Sequence, residues 1–345
     1  MKIIVVGPDY SKYSAASYQY EFMNSLMEIS EKYYHYSENI QLDEEQLYKK
    51  AKFFPDIIFY NHGWLQDNPS VEKINYGKIK KKLNNKKVKH VIFLNKEYTR
   101  LEEKLNEIKK NKFDLIFTHL HDFEELNHTS IRSLFLPLAC SYENISNMRY
   151  RKLEERKYDL FFSGILQNWD HKHMQSDLRK KIQLELFYCI FDFPLLKKFK
   201  YWDLNIYWKP FYKNRFKNIF SNFIHGKRLS QKDYFNILSN SKCVLHTSSP
   251  LGIISTRVFE ALGSGAIGMF AFDSKVDIIF EDGIHFVSFS RINDLIDKIY
   301  LIRKSKGDSK YQKIANSARE FVEKKHTWKN RVAFFVDQVL KLSKV

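Results

Sequence analysis

Cysteine, glycine and proline are scarce in this sequence. Its 345 residues include three Cys, 11 Gly and seven Pro. The three cysteines, Cys140, Cys189 and Cys243, are far apart and form no C-x-x-C pair, which argues against a disulfide framework and against a cysteine-based zinc site. So little glycine and proline excludes a collagen-like or low-complexity chain. We therefore expect a globular, cytoplasmic protein with reduced thiols.

A long hydrophobic run is also missing. No stretch approaches the roughly 20 apolar residues that a membrane-spanning helix needs, and the apolar run near Met1 is too short for a signal peptide. We therefore expect no membrane span. A peripheral position at the inner face of the membrane stays open as an alternative.

Negative charge is in the minority. Lys and Arg number 57 against 40 Asp and Glu, so the formal net charge is +17. The excess favours an acidic partner such as nucleotide phosphate, anionic lipid or nucleic acid. An AT-rich coding sequence would also enrich Lys, together with Asn, Ile, Tyr and Phe. The charge alone therefore identifies no ligand.

Two stretches concentrate the positive charge. Residues 76–89 contain seven Lys, and residues 211–223 interleave aromatic side chains with cations. Such stretches bind anionic membrane surfaces or nucleic acid, and an ordinary solvated surface has the same composition. Because no nucleic-acid-binding motif accompanies them, nucleic acid is an unfavoured partner, while an anionic membrane surface remains a candidate.

Short apolar runs alternate along the chain with longer amphipathic stretches. This alternation is typical of βα units on a parallel sheet. It occurs in both halves of the chain, which a charged stretch at 149–157 separates. We predict an α/β protein with two doubly wound, Rossmann-like domains, 1–150 and 151–325, that face each other across a ligand-binding cleft. A helix within 326–345 is expected to pack back on the first domain.

The most informative segment is residues 242–270. A strand leads through a polar loop into a helix that begins near Ser255 or Thr256 and ends at Gly263. The free N–H groups of a helix N-terminus form an anion site, and Arg257 adds a cation suited to diphosphate oxygens. Glu260 lies four residues after Thr256, on the same face of the helix, and can accept hydrogen bonds from ribose hydroxyls. An ordinary capped helix with an Arg257–Glu260 ion pair is the alternative.

The same segment resembles the donor-binding signature of GT-B glycosyltransferases, in particular glycosyltransferase group 1 and its CgeB-like branch. The resemblance rests on the R-x-F-E helix and the small-residue turn that follow a Ser-rich loop, here residues 257–265. Residues 279–299 and 318–340 resemble two further signals of that family, in the same order. Together they cover about 220–340.

The resemblance implies a GT-B fold with an N-terminal acceptor domain and a C-terminal donor domain. It implies transfer of a sugar from a nucleotide-sugar donor to a glycan, lipid-linked or other hydroxyl acceptor. Ser255 and Thr256 would meet the diphosphate through their backbone amides, and Glu260 would bind the ribose. Many relatives carry E-x7-E, but the position of the first Glu is Gly252 here. The donor sugar and the stereochemistry therefore do not follow from the resemblance.

Three further positions are candidates for the donor site. Gly164, after an apolar run, would let a ligand approach the backbone closely, although a glycine there is also typical of a turn. Lys227 and Arg228 precede a helix capped by Ser230 and would help to neutralise a leaving diphosphate, with a solvated surface pair as the alternative. The sequence lacks the D-x-D motif. We therefore expect metal-independent transfer without a cofactor, in which cations and a helix dipole replace Mg²⁺.

An inverting transfer needs a general base for the acceptor hydroxyl. The candidates follow predicted strands of the first domain, where ligands collect: Asp9, His62, His119 and His121. The H-x-H pair at 119 and 121 is also a conceivable metal site, but no third ligand is evident. Two alternatives to a transferase stay open, namely a nucleotide-sugar epimerase or hydrolase on the same fold and a non-catalytic, GT-B-like nucleotide- or glycan-binding protein.

Overall fold

The structure is a computed structural model, and it describes most of the chain. His62, Lys227 and Arg228 lie outside the described residues, as do most of 76–89 and 211–223. The structure describes the backbone alone for residues 12, 17, 18, 127, 164–166, 206–212 and 250. The described stretches are 1–12, 17–38, 40–61, 87–97, 99–122, 124–127, 129–166, 206–212, 229–247, 249–272 and 274–342.

Strands and helices alternate along both halves of the chain. The strands are β1 (Lys2–Val6), β2 (Lys32–Tyr36), β3 (Ile57–Tyr60), β4 (Lys89–Phe93), β5 (Leu115–Thr118), β6 (Ser133–Phe135), β7 (Tyr158–Leu166), β8 (Ile206–Tyr212), β9 (Ser241–His246), β10 (Ile267–Ala271) and β11 (Val287–Phe289). The helices are α1 (Ser17–Ile29), α2 (Glu44–Ala51), α3 (Leu101–Asn111), α4 (Glu124–Asn127), α5 (Tyr142–Ser146), α6 (Gln231–Ser239), α7 (Thr256–Gly263), α8 (Ile292–Lys304), α9 (Lys310–Lys325) and α10 (Trp328–Leu342). Among the described residues, none of these helices is both long and apolar enough to span a membrane.

The chain forms two compact units. The first consists of Met1–Ala139 and Trp328–Val345, and the second of Cys140–Thr327. Residues 140–150, predicted to belong to the first domain, lie in the second unit. The reason is local packing, because Ile145 contacts Gly263 so closely that a Cβ built on the glycine would lie 2.6 Å from Cδ1 of Ile145.

The first unit contains a parallel sheet in the order β2-β1-β3-β4-β5-β6. The central strands are continuous apolar runs that are buried along their length, as expected for parallel strands covered on both faces. α10 belongs to this unit. Its Phe335 ring packs against Phe22, Phe59 and Phe117, with centroid separations of 5.7, 4.9 and 5.0 Å. The aromatic contacts tie the last helix to the core of the first sheet.

The second unit contains a parallel sheet in the order β11-β10-β9-β7-β8. Its core joins β7, β9, β10 and β11 to α8 and α9 through buried, mainly aliphatic side chains. In each unit, the carboxyl ends of the parallel strands meet at one edge of the sheet, where ligands of α/β proteins bind. The predicted α/β class with two Rossmann-like sheets is confirmed.

Candidate functional site

α7 begins at the carboxyl edge of the second sheet. β9 ends at His246, and a loop leads to Ser255, the residue before the first turn of the helix. The helix ends at Gly263, as the sequence predicts. Ser255 has an extended backbone, φ −75° and ψ 157°, but its hydroxyl makes no capping hydrogen bond. The N-terminus of α7 is therefore not closed by its own N-cap side chain.

Arg257 is fixed to the neighbouring strand. Its Nη1 donates to the carbonyl oxygen of Ser163 in β7 at 2.7 Å. Its own carbonyl oxygen accepts a hydrogen bond from Nε2 of His246 at 3.1 Å. Since a guanidinium has five N–H donors, the contact with Ser163 orients the group while using one of them. The arrangement holds a cation beside the first turn of α7.

Glu260 lies one turn further along α7 and is held by Tyr234. The Tyr234 hydroxyl donates to Oε2 of Glu260 at 2.9 Å. Burial raises the pKa of Glu260, while the Tyr234 bond and the Arg257 charge oppose the rise. Burial and the Glu260 charge raise the pKa of Tyr234 well above its usual value. Tyr234 therefore remains a hydrogen-bond donor over the whole physiological pH range, and it positions the carboxylate.

Gly252 occupies the position at which the resembled family often has a first Glu. Its φ is +74°, in the left-handed region that favours glycine. A Cβ there would lie 2.6 Å from Cδ of Lys275. Both the backbone and the neighbouring side chain oppose a carboxylate at this position. The conformation of the loop therefore favours glycine, and not Glu, at position 252.

Gly164 lies inside β7 and not at a turn. The strand continues to Leu166, and Gly164 pairs in register with Pro210 of β8. The prediction that the strand ends at this glycine was therefore wrong, because the pairing with β8 extends beyond it. Ser163, the preceding residue, is the one that binds Arg257. The structure thus brings the backbone beside Gly164 to the first turn of α7.

Asp9 lies just after β1, at the carboxyl edge of the first sheet. Its Oδ1 accepts a hydrogen bond from the Ser11 N–H at 3.0 Å. The ring of His35, at the end of β2, bonds through Nε2 to the Gly7 carbonyl oxygen at 3.0 Å. Burial lowers the pKa of His35, and the Gly7 bond and the negative charge of Asp9 oppose the decrease. Asp9 is a partly exposed carboxylate at the expected edge of the sheet.

His119 and His121 lie in different surroundings. His119 is only 3% exposed, its Nδ1 donates to the Leu136 carbonyl oxygen at 3.1 Å, and burial lowers its pKa. His121 is 42% exposed on the side chain and pairs through Nδ1 with Oδ2 of Asp122 at 2.7 Å. Both residues follow the last residue of β5, so strand alternation does not align them. The buried ring belongs to the core, and the exposed one is the accessible candidate.

Three contacts of Arg257 and Glu260 were missed by sequence reasoning. Tyr234, Ser163 and His246 bind Glu260 or Arg257, yet each is separated from its partner along the chain. Only His246 offered a signal, since a polar residue at the end of an apolar strand is typical of a ligand-binding edge. The contacts of Tyr234 and Ser163 depend on which elements are neighbours in space.

A family model described as "Glycosyl transferase-like" matches residues 193–337. This segment includes α6, β9, α7 and the loop that joins β9 to α7. A search of curated proteins gave no match.

Several solved structures are similar in fold. An alpha-glucosyltransferase in complex with UDP-glucose and DNA aligns with a TM-score of 0.61 at 11% identity, covering 98% of each chain. The Candida albicans trehalose-6-phosphate phosphatase N-terminal domain aligns with a TM-score of 0.61 at 13% identity, covering 99% of this chain and 97% of the other. Anabaena HepE with UDP and glucose aligns with a TM-score of 0.52 at 13% identity, covering 99% of each chain.

The chain spans only 60% of the length of a chain of the GtfA/B complex, with a TM-score of 0.49. At these low identities the structural likeness concerns the fold alone. The protein therefore has the two-unit, Rossmann-like α/β fold of GT-B glycosyltransferases, and its residues 193–337 are similar to a glycosyltransferase-like family.

Proposed function

We propose that this protein is a glycosyltransferase of the CgeB-like branch, which moves a sugar from a nucleotide-sugar donor to a glycan, lipid-linked or other hydroxyl acceptor. The observation that carries the proposal is the α7 segment. A cation and a positioned carboxylate lie on its first turns, at the carboxyl edge of the second sheet. The same segment falls within the family-model match.

The donor is bound by the residues of α7. The backbone N–H groups at Ser255 and Thr256 and the guanidinium of Arg257 hold the diphosphate, since a helix N-terminus and a planar cation both favour phosphate oxygens. Glu260 accepts the ribose hydroxyls, and Tyr234 keeps its carboxylate in place. Gly164, Lys227 and Arg228 complete the donor site.

The transfer needs no metal ion. The negative charge that develops on the leaving diphosphate is stabilised by Arg257 and by the dipole of α7, which are fixed before the reaction.

In an inverting reaction, a base of the first unit removes the proton of the acceptor hydroxyl. Asp9 and His121 are the exposed candidates among the described residues, and His62 is a further one outside them. Chelation with EDTA is expected to leave the rate of donor consumption unchanged.

The test is calorimetric titration of the full chain with UDP, GDP, CMP and ADP. We expect at least one nucleotide to bind. Glu260→Gln should weaken that binding about tenfold or more, because a hydrogen bond to a charged group contributes about 1.5–3 kcal/mol. The matched control is Glu281→Gln, which neutralises an exposed carboxylate of the same unit. Binding of none of the nucleotides, or an equal loss in both variants, would contradict the proposal.

A second candidate function is nucleotide or glycan binding without catalysis. Gly252 favours it, because its left-handed backbone, φ +74°, disfavours any side chain where relatives have the Glu that contacts the transferred sugar. The two functions separate when a nucleotide-sugar of the bound base is incubated with the protein and candidate acceptors. If the nucleotide-sugar is consumed only when an acceptor is present, the protein is a transferase. If it is consumed without an acceptor, the protein is an epimerase or hydrolase. If it is not consumed at all, the protein only binds its ligand.

A further inference from the structure

A groove with a volume of about 320 Å³ lies on the second unit, beside α6. One wall is formed by Lys232, Phe235, Asn236 and Ser239. Their spacing, i, i+3, i+4 and i+7, places them on a single face of α6. The other wall is the segment 144–151, which follows the start of α5.

The groove is positively charged. Arg149 and Arg151 line one wall, and Lys232 lies on the other. None of the described residues that line the groove carries a carboxyl group. Three cations from two elements therefore converge on one concave surface, and the described lining supplies no counter-charge. Such an arrangement favours an anionic ligand.

The walls of the groove are fixed before any ligand binds. Nη1 of Arg151 donates to Oγ of the buried Ser239 at 3.3 Å, which links the two walls. The carbonyl oxygen of Arg151 accepts hydrogen bonds from Nε and Nη2 of Arg156, at 3.2 and 3.1 Å. Arg156 is only 2% exposed. Arg151 is therefore preorganised, and a preorganised cation loses less conformational entropy when it binds a ligand.

The groove also has apolar and carboxamide surfaces. Met148 is buried and Phe235 half-buried, so both offer apolar contact area. Asn144, Asn147 and Asn236 supply side-chain amides, which can donate to and accept from hydroxyl groups. A sugar ring combines an apolar C–H face with several hydroxyls. The lining therefore suits a sugar better than it suits a bare anion.

We propose that this groove binds a sugar residue that carries one anionic group, phosphate or carboxylate. The ring would pack on Phe235 and Met148, the carboxamides would bind hydroxyls, and Arg149, Arg151 and Lys232 would bind the anionic group. Tyr234, which faces Glu260, is outside the lining. The groove is thus separate from the α7 residues assigned to the donor, and its occupancy does not depend on glycosyl transfer.

The test is calorimetric titration of the full chain with four probes: glucose 6-phosphate, glucuronate, glucose and inorganic phosphate. We expect at least one charged sugar to bind at least tenfold more tightly than glucose or phosphate. The double variant Arg149→Gln, Lys232→Gln should weaken that binding tenfold or more. Both side chains are exposed, so the variant should fold normally, which an unchanged melting temperature would verify. The better of the two charged sugars identifies the anionic group.

Two control variants make the assignment specific. Lys306→Gln with Lys313→Gln removes the same charge from exposed positions outside the groove, and it should leave binding unchanged. Arg257→Gln alters the donor-side cation and should also leave it unchanged. The proposal is overturned if no charged sugar binds, if glucose or phosphate binds as tightly, or if either control weakens binding as much as the groove variant does.

Discussion

The hydroxyl of Tyr234 is the group that fixes the carboxylate of Glu260. In Tyr234→Phe the carboxylate loses this donor in a half-buried place, so we expect the free energy of unfolding to fall by about 1–3 kcal/mol. Urea denaturation measures the change. Tyr311→Phe is the matched control, since no hydrogen bond of its hydroxyl is present among the described contacts. An equal loss in the control would contradict the role of the bond.

Glu260 also makes stability depend on pH. Burial raises its pKa, so the folded protein binds this proton more tightly than the unfolded chain does. The resulting stabilisation is complete below the unfolded pKa, about 4.3, and it is lost as the pH rises through the higher folded value. Compared with the wild type, Glu260→Gln should therefore gain stability as the pH is raised above about 4.3. Melting temperatures of both proteins between pH 4 and 8 test this, and a constant difference would contradict it.

At the residue scale, the sequence predicts the residues on one face of α7 but not their partners. Arg257 and Glu260 could be identified because helical spacing fixes which side chains share a face. Ser163 and Tyr234 come from β7 and α6, and nothing in local spacing shows that these elements meet. The burial of His119 could not be predicted either, because it depends on contacts with Phe93 and Leu136. The ring centroids of His119 and Phe93 are 4.6 Å apart, and the His119 ring bonds to the Leu136 carbonyl oxygen.

At the scale of elements, a buried guanidinium joins the ends of two helices. Arg156 donates to the carbonyl oxygens of Ser241 and Ser264, both at 2.9 Å, beside the C-termini of α6 and α7. A cation is favourable at these two helix C-termini, because the helix dipole is negative there. Burial lowers the pKa of Arg156 to about 10. The arrangement fixes α7 at the end opposite to Arg257.

Replacement of Arg156 by Met would leave these buried carbonyl groups without a donor. We expect Arg156→Met to lower the free energy of unfolding by about 3–5 kcal/mol, measured by urea denaturation. Arg291→Met is the control, because Arg291 is exposed and its loss should cost less than about 0.5 kcal/mol. If both variants unfold at the same urea concentration, the capping role is wrong.

Most elements could be predicted from apolar periodicity, and the exceptions have physical causes. β2, Lys-Tyr-Tyr-His-Tyr, contains no aliphatic residue, so apolar periodicity does not indicate a strand there. It lies at the edge of its sheet, where only one neighbour pairs with it, so a less apolar sequence suffices. β7 extends past its glycine because a second strand pairs with it there.

At the scale of the whole molecule, the two units offer separate readouts. Phe335 is fully buried in the first unit, so Phe335→Ala should remove about 3–5 kcal/mol from the stability of that unit. Hydrogen exchange resolved by peptide should show lost protection in β1 and β3. Peptides from β9 and β10, in the second unit, should keep theirs. Equal loss in all four strands would show that the units unfold as one.

The number of sheets could be predicted from the repeated βα pattern, whereas the division between units could not. The charged stretch at 149–157 suggested a linker by composition alone. In the structure, this stretch and the residues before it pack within the second unit, because Ile145 covers Gly263 and the Tyr150 hydroxyl donates to Asn316 at 2.8 Å. Such contacts join residues more than 100 positions apart in the sequence, so they cannot be predicted from local sequence patterns.

The membership of α10 in the first unit has a consequence for synthesis. The ribosome releases the chain from its N-terminus, and domains generally fold as they emerge. The sheet of the first unit would emerge early but would lack the aromatic cover of Phe335 until translation had passed through the whole second unit. We therefore expect a released chain truncated after Thr327 to have a protease-resistant second unit and a protease-sensitive first one, so that the segment made first is the last to mature.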